Sequence, residues 1–386
     1  MLEVLFLLLP IAAGYGWYMG RRSIRQQQSS KRKELKKDYF AGLNFLLSNE
    51  SDKAVDLFIN MLDVDDETID THLSLGALFR KRGEVDRAIR IHQNLIARPN
   101  LLSEQLEMAM MELGKDYISA GFYDRAEEIL LSLLEKADET AEAEEQLRII
   151  YQTTKEWQKA IDVIKSMSKE NRIQLSATQA HYYCQLADES DDDIIKLKLI
   201  KLALKSDANC GRALLELANL CCRTQDHHSC KQALYQLIES DIELLADCIK
   251  VANIAFTETD DNMGYISFLQ HALQQGAGVS ITLELVKQYL DSDHSADAES
   301  ILLDTLHRQP TMKGFQKLTQ IHAEQAEAGS AKQSLTMLEK LVEQQIKFRP
   351  SYRCRNCGFP SHGLYWQCPS CKGWGTIKRI KGLDGE

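Results

Sequence analysis

The sequence predicts an all-α chain of stacked helical pairs, with a membrane-spanning segment at one end and a small metal-folded module at the other. Three observations predict it. The middle is rich in Leu, Ala, Glu, Lys and Gln, with only 6 prolines and 20 glycines in 386 residues, a composition that loses little rotamer freedom in helices. A ladder of small residues recurs about every 34 positions. Four of the 10 cysteines stand as two Cys-x-x-Cys pairs near residue 360. At 44% hydrophobic and 26% charged, the composition is that of a folded chain and not of a disordered one.

The N-terminal element is the stretch LEVLFLLLPIAAGYGWYMG, residues 2–20, which has one acid and no base. Eight bases and one Glu follow between Arg21 and Lys37. A cleaved signal peptide carries its positive charge before the apolar run, whereas here the order is inverted. The positive-inside rule therefore predicts an uncleaved span with its N-terminus outside and all that follows Arg21 in the cytoplasm. Scattered cysteines elsewhere in the chain suit that reducing compartment. Ala12, Gly16 and Gly20 recur every four residues, so one face of the span is smooth enough for another membrane helix to approach. The competing reading is that glycine is simply common in membrane helices.

The next element is a repeat. FAGLNFLLSNESDKAVDLFINML, SLGALFRKRGEVDRAIRIHQNLI and ELGKDYISAGFYDRAEEILLSLL share one layout. A small residue is followed three later by an aromatic, then a turn, and alanine stands twelve after the small residue. The ladder falls at Gly42, Gly76, Gly114, Arg148, Cys184, Ala218, Ala252 and Val286, in steps of 34, 38, 34, 36, 34, 34 and 34. The alanine position reads Ala54, Ala88, Ala126, Ala160, Lys196, Cys230, Gly264 and Ala298. Two antiparallel helices cross closely only where side chains are small, and stacked pairs bury one continuous core. This resembles the tetratricopeptide repeat family: Gly76, Phe79, Gly83, Ala88 and Pro99 match its pattern in the second pair, and Tyr289, Ala298 and Pro310 in the eighth. A ninth pair is expected over about Thr311–Gln345. Cys221, Cys222, Cys230, His227 and His228 could suggest a metal cluster, but Cys221 and Cys230 sit at repeat positions where cysteine serves as a small hydrophobe. Such a solenoid binds peptides or protein surfaces, and the sequence has none of the Gly-rich phosphate loop, His-Glu-x-x-His or Gly-x-Ser-x-Gly signatures of catalysis.

Charge is uneven. The chain carries −10, yet residues 21–37 contribute +7 and residues 347–381 hold eight bases and no acid. With Glu3, Asp384 and Glu386 counted, the repeat body must carry −22. The solenoid therefore either projects from an anionic membrane surface or receives the basic C-terminal module.

That module is YRCRNCGFPSHGLYWQCPSCKGWGTI. Cys354, Cys357, Cys368 and Cys371 form two Cys-x2-Cys pairs with ten residues between them, and four thiolates at this spacing close a tetrahedron around one metal ion. Some 30 residues cannot bury enough surface to fold alone, so the metal supplies the folding energy. Four ligands leave no open position, so the site is structural. The knuckles resemble those of rubredoxins and zinc ribbons, with Lys372 where the rubredoxin form has glycine. Zinc is the expected ion and iron the runner-up. Arg353, Arg355, Trp366, Trp374, Lys378 and Arg379 could in principle contact nucleic acid, but the acidic body argues against it.

The order of span, tetratricopeptide solenoid and rubredoxin-like module resembles the bacterial lipopolysaccharide assembly protein B family over the full chain. Residues 1–20 would be the anchor, 21–37 a basic neck, 38–346 the solenoid and 347–386 the metal module. The resemblance implies a non-enzymatic inner-membrane adaptor that brings the lipid A deacetylase LpxC to the membrane protease FtsH. It also implies opposition by the inner-membrane sensor YejM (PbgA) near the membrane, and contacts with other lipopolysaccharide assembly proteins. Self-association is left open. A passive scaffold for envelope-building proteins and an iron electron carrier are the alternatives from other classes.

Overall fold

A computed structural model describes residues 69–386 save 100, 137–139 and 293, together with Met19 and a few positions between 40 and 57. Apart from Met19, the apolar run, with Ala12, Gly16 and Gly20, lies outside the described residues. Among the described residues no helix is long and apolar enough to cross a membrane.

The chain divides into two compact units, residues 1–150 and 151–386. The first contains α1 (Ile69–Lys81), α2 (Val85–Ile96), α3 (Ser103–Ala120) and α4 (Tyr123–Leu134). Each pair crosses at the ladder: a Cβ on Gly76 would lie 2.3 Å from the His92 ring, and one on Gly114 3.0 Å from Leu130. His92 cannot retreat, because its Nδ1 is held 2.5 Å from Asp116 Oδ2. Asp116 also accepts from Arg80 at 2.7 Å, and Arg80 donates to Glu112 at 2.6 Å. A buried charge is thus paired on two sides, as burial requires. The turns between helices need a left-handed residue, which Gly83 and Gly121 supply at φ 82° and 78°.

The helix α5 (Ala141–Thr154) leads into the second unit. There the pairs continue as α6 (Trp157–Ser166), α8 (Ser176–Glu189) with α9 (Asp193–Ser206), and α10 (Gly211–Arg223) with α11 (His227–Ser240). Then come α12 (Ile249–Thr257) with α13 (Asn262–Gln274), α14 (Val279–Asp291) with α15 (Ser295–Arg308), and α16 (Met312–Gln325) with α17 (Ser330–Phe348). A helical pair therefore stands where one was expected over about Thr311–Gln345. Two elements lie outside the repeat pattern: the short α7 (Lys169–Gln174), capped by the Ser168 side chain, and a 3-10 helix at Ile242–Asp247. The core follows the ladder, with Ala160, Cys184, Ala218, Cys230, Ala252, Val286 and Ala298 at 0–1% exposure. Cys230 and Cys221 are packed in the hydrophobic core with Leu234, Leu245 and Phe256. His227 and His228 open α11, one turn position later than the loop expected of them.

Candidate metal centre

The last residues form a three-stranded antiparallel sheet in the order β2-β1-β3, with β1 Tyr352–Cys354, β2 Pro360–Ser361 and β3 Ile377–Arg379. Its two ends hold the Cys-x-x-Cys knuckles. The Sγ atoms of Cys354, Cys357, Cys368 and Cys371 all lie within 4.8 Å of one another. Cys354 to Cys371 and Cys357 to Cys368 are both 3.7 Å. A tetrahedron with metal–sulfur bonds of about 2.3 Å has edges of about 3.8 Å, so the four sulfurs fit one ion. Among the described residues this is the one such group of His, Cys, Asp or Glu.

Around Cys354 and Cys357 the chain is folded to favour thiolates. The Thr376 hydroxyl lies 3.3 Å from Cys354 Sγ, and with the Asn356 and Cys357 amides it brings the Cys354 thiol down to about 6. The Phe359 amide lowers Cys357 in the same way. Cys354 and Cys368 are buried, while Cys357 and Cys371 face solvent. No coordination position is left open, so the ion this set would hold supplies tertiary structure and no substrate site. After each second cysteine the chain turns left-handed, at Gly358 (φ 78°) and at Lys372 (φ 58°). Lysine pays a steric penalty there that glycine does not. Lys372→Gly is expected to stabilise the metal-loaded module by about 0.5–1 kcal/mol, read as slower loss of metal to a chelator.

The module is clasped to its own unit. Trp374 stacks on His181 at 5.2 Å and 22°, meets Trp157 and Tyr182 edge-on, and donates to Gln152 Oε1 at 2.9 Å. Burial, with Arg212 and Lys378 near by, lowers His181 to about 3, so the ring that stacks is neutral. Trp366 lies over the Arg212 guanidinium at 5.5 Å, and Arg212, 1% exposed, is held by Asp188 and Glu216 at 2.6 Å each. Apart from Trp157, which opens α6, these partners belong to α5, α8 and α10, the first helices of successive pairs.

An acidic rim completes the grip. Asp247, closing the 3-10 helix, accepts from Tyr352 and Arg379 at 2.6 Å; Glu243 binds Arg355 and Lys381, and Asp241 binds Lys378. Glu386 then enters the start of α14, accepting from the Ser280 amide at 2.9 Å, from Lys313 at 2.7 Å and from Arg379 at 2.8 Å. A Cβ on Gly278 would come within 2.6 Å of this carboxylate. Burial opposes its charge, but Lys313 and the Ser280 bonds outweigh it and hold Glu386 below the ordinary 4.5. Glu243 is lowered likewise, burial again being outweighed by Lys381 and Arg355.

A carboxylate with a depressed folded pKa contributes stability above its unfolded pKa and loses it as pH falls. His181, neutral when folded, works in the same direction below 6.5, whereas Glu216, raised by burial to about 7, works against it between 7 and 4.5. The clasp is thus expected to hold near neutrality and to weaken steeply below about pH 4.5. Glu386→Gln should flatten that slope relative to the parent, measured by urea denaturation across pH.

Of the two arrangements the charge pattern allowed, the basic module does fold back onto the acidic body. Arg355, Trp366, Trp374, Lys378 and Arg379, considered for nucleic acid, are spent on this intramolecular contact. Cys221, Cys222, Cys230, His227 and His228 do not converge as a ligand set among the described residues, and His227 instead faces Glu258 at 3.1 Å. Sequence reasoning missed His181, Arg212, Asp247 and Glu386.

The rubredoxin metal binding domain profile matches residues 352–379, and the tetratricopeptide repeat profile matches residues 71–104. The chain is 43% identical to lipopolysaccharide assembly protein B of Escherichia coli K12 over 388 residues, covering all of both chains. It is 38% identical to the protein of that name from Haemophilus influenzae over 397 residues, again covering both in full. The chain belongs to the lipopolysaccharide assembly protein B family. Among solved structures, a tetratricopeptide repeat protein from Parabacteroides merdae is similar at 14% identity and a TM-score of 0.33, covering 72% of this chain and 99% of that one. The rubredoxin match that this lipopolysaccharide assembly protein B family member carries begins at Tyr352 and ends at Arg379, which are the outer ends of β1 and β3 and the two side chains that grip Asp247.

Proposed function

We propose that the chain is a membrane-anchored adaptor in lipopolysaccharide biosynthesis that presents the deacetylase LpxC to the protease FtsH and performs no chemistry itself. The observation that carries the reading is the closed four-cysteine centre, whose whole module is engaged in clasping the solenoid. A metal so placed stabilises a binding surface and does not turn over a substrate. Full-length similarity to proteins named for lipopolysaccharide assembly supports the pathway.

Residues 1–20 would hold the chain in the inner membrane with the N-terminus periplasmic. The face of Ala12, Gly16 and Gly20 would meet membrane partners such as FtsH and the sensor YejM, and residues 21–37 would lie against the anionic leaflet. The client surface in this reading is the groove of the first unit, about 1110 Å³ and lined by Leu73, Ala77, Arg80, Met108, Met111 and Glu112 among others. Its mixture of flexible methionines and charged residues suits a protein segment.

The test follows LpxC half-life in cells carrying the intact chain, the Cys354→Ser/Cys357→Ser variant or no copy, with membrane levels matched. Fast LpxC turnover that needs both the chain and its cysteines is expected. Unchanged turnover on complete removal would overturn the proteolysis reading in favour of a passive scaffold for envelope-building proteins.

A further inference from the structure

Of the 10 cysteines in the chain, the structure exposes two, Cys357 and Cys371, and both belong to the metal centre. Cys184, Cys210, Cys221, Cys230 and Cys248 are buried, and Cys222 is half-buried. Burial and the nearby Glu258 push the Cys222 thiol up, away from the thiolate form that reacts. A sulfur that holds a metal is already a thiolate. Exposure and thiolate character together decide which cysteine is oxidised, and both single out the outer ligand of each knuckle.

Each outer sulfur faces a buried one of the other knuckle. Cys357 Sγ lies 3.7 Å from Cys368 Sγ, and Cys371 Sγ lies 3.7 Å from Cys354 Sγ. With a peroxide as oxidant, the Cys357 thiolate attacks one peroxide oxygen. An S–O bond forms, the O–O bond breaks, and the departing hydroxide takes a proton from solvent and leaves as water. The Cys368 thiolate then attacks the Cys357 sulfur, so that an S–S bond forms, the S–O bond breaks, and a second hydroxide leaves as water in the same way. The two thiolates have given two electrons to the peroxide. Two ligands remain where the ion needs four.

Such a cross-link does not keep the module in place. It closes residues 357–368, whereas Tyr352, Trp374, Lys378 and Arg379, which grip the solenoid, all lie outside that loop. Joining Cys354 to Cys371 leaves the same four outside. A loop of either size restrains the chain far less than four ligands on one ion, and β1 and β3 are only three residues each. We infer that Cys357 and Cys371 are oxidation sites, and that a peroxide acting there expels the metal and lifts the module from Trp157, His181 and Tyr182. The centre is the sensor and the clasp is its response: oxidation uncovers an aromatic surface that the reduced, metal-loaded chain keeps covered. The inference goes beyond the adaptor reading and stands or falls independently of LpxC turnover.

The test uses the full chain in detergent micelles, loaded with zinc and freed of excess metal, with hydrogen peroxide as the probe and a zinc-sensitive dye as the first readout. Loss of the bound zinc is expected, with a peptide joining Cys357 to Cys368 or Cys354 to Cys371 in the mass spectrum. Over the same interval hydrogen exchange should rise at β1, β3 and the 3-10 helix and stay unchanged in α1–α4. A dithiol reductant with added zinc should reverse both signals, and Cys222→Ser should respond as the parent does. Zinc retained at peroxide levels that fully oxidise free glutathione would overturn the inference. So would release that Cys222→Ser abolishes, which would place the first oxidation at that residue. Zinc loss with protection intact at β1 and β3 would also overturn it, by separating the centre from the clasp.

Discussion

Stripping the metal with a chelator, or replacing Cys354 and Cys357 by serine, is expected to unfold residues 352–379 and free the first helices they cover. The module's hydrophobic cluster is Tyr352, Cys354, Cys368 and Ile377 with Phe359 and Leu364 against it, and two of those four buried residues are ligands. Its strands are three, two and three residues long, below what holds a sheet together unaided. Metal binding at such a site is worth on the order of 10 kcal/mol and is in effect the folding energy of the module. Hydrogen exchange should show loss of protection at β1, at β3 and along the 3-10 helix, where Tyr352, Arg379 and Lys378 are gripped, with α1–α4 unchanged. Protection that survives at β1 and β3 would mean that the solenoid, and not the ion, shapes the module.

Trp374→Ala is expected to produce the second largest loss, about 3 kcal/mol by urea denaturation of the metal-loaded chain. The indole contributes on three counts: ring contacts with His181, Trp157 and Tyr182, the bond to Gln152, and the exclusion of water from a half-buried aromatic nest. Trp374→Phe keeps most of the ring contact and loses the N–H, so about 1 kcal/mol should go. Metal affinity should survive both changes, since the sulfurs are untouched. Equal losses for Ala and Phe would place the effect in the hydrogen bond alone.

The repeat was legible because its physics is local and periodic. A close helix crossing demands Gly76 or Ala88 wherever it recurs, whereas the pair after Pro310 lies beyond the last position of the ladder. The four ligands were legible because a tetrahedron of sulfurs dictates its own spacing. The clasp was not. Gln152 and Trp374 are 222 residues apart, no short-range pattern connects them, and His181 or Arg212 reads in the sequence as any helix-face residue. Only the charge contrast hinted at the contact, eight bases without an acid set against an acidic body, and charge names a sign without naming a partner. The short α7 was also hidden, since its residues KENRIQ bury nothing that a periodicity could detect.

The distance between Gln152 and Trp374 also sets a clock. Ordinary repeat arrays can fold from whichever pairs have emerged, because each pair needs only its neighbours. Here the row that includes His181 and Tyr182 is finished while the residues that cover it have yet to be made. At about 5–20 residues per second, a ribosome takes on the order of 10–40 s to pass from Gln152 to Trp374. For that interval an aromatic surface stands open on the nascent chain, and it closes only when the last knuckle has found its ion. Metal supply during translation therefore governs how long each new molecule remains vulnerable to misassociation, and a shortage would act on folding yield before it acted on any finished protein.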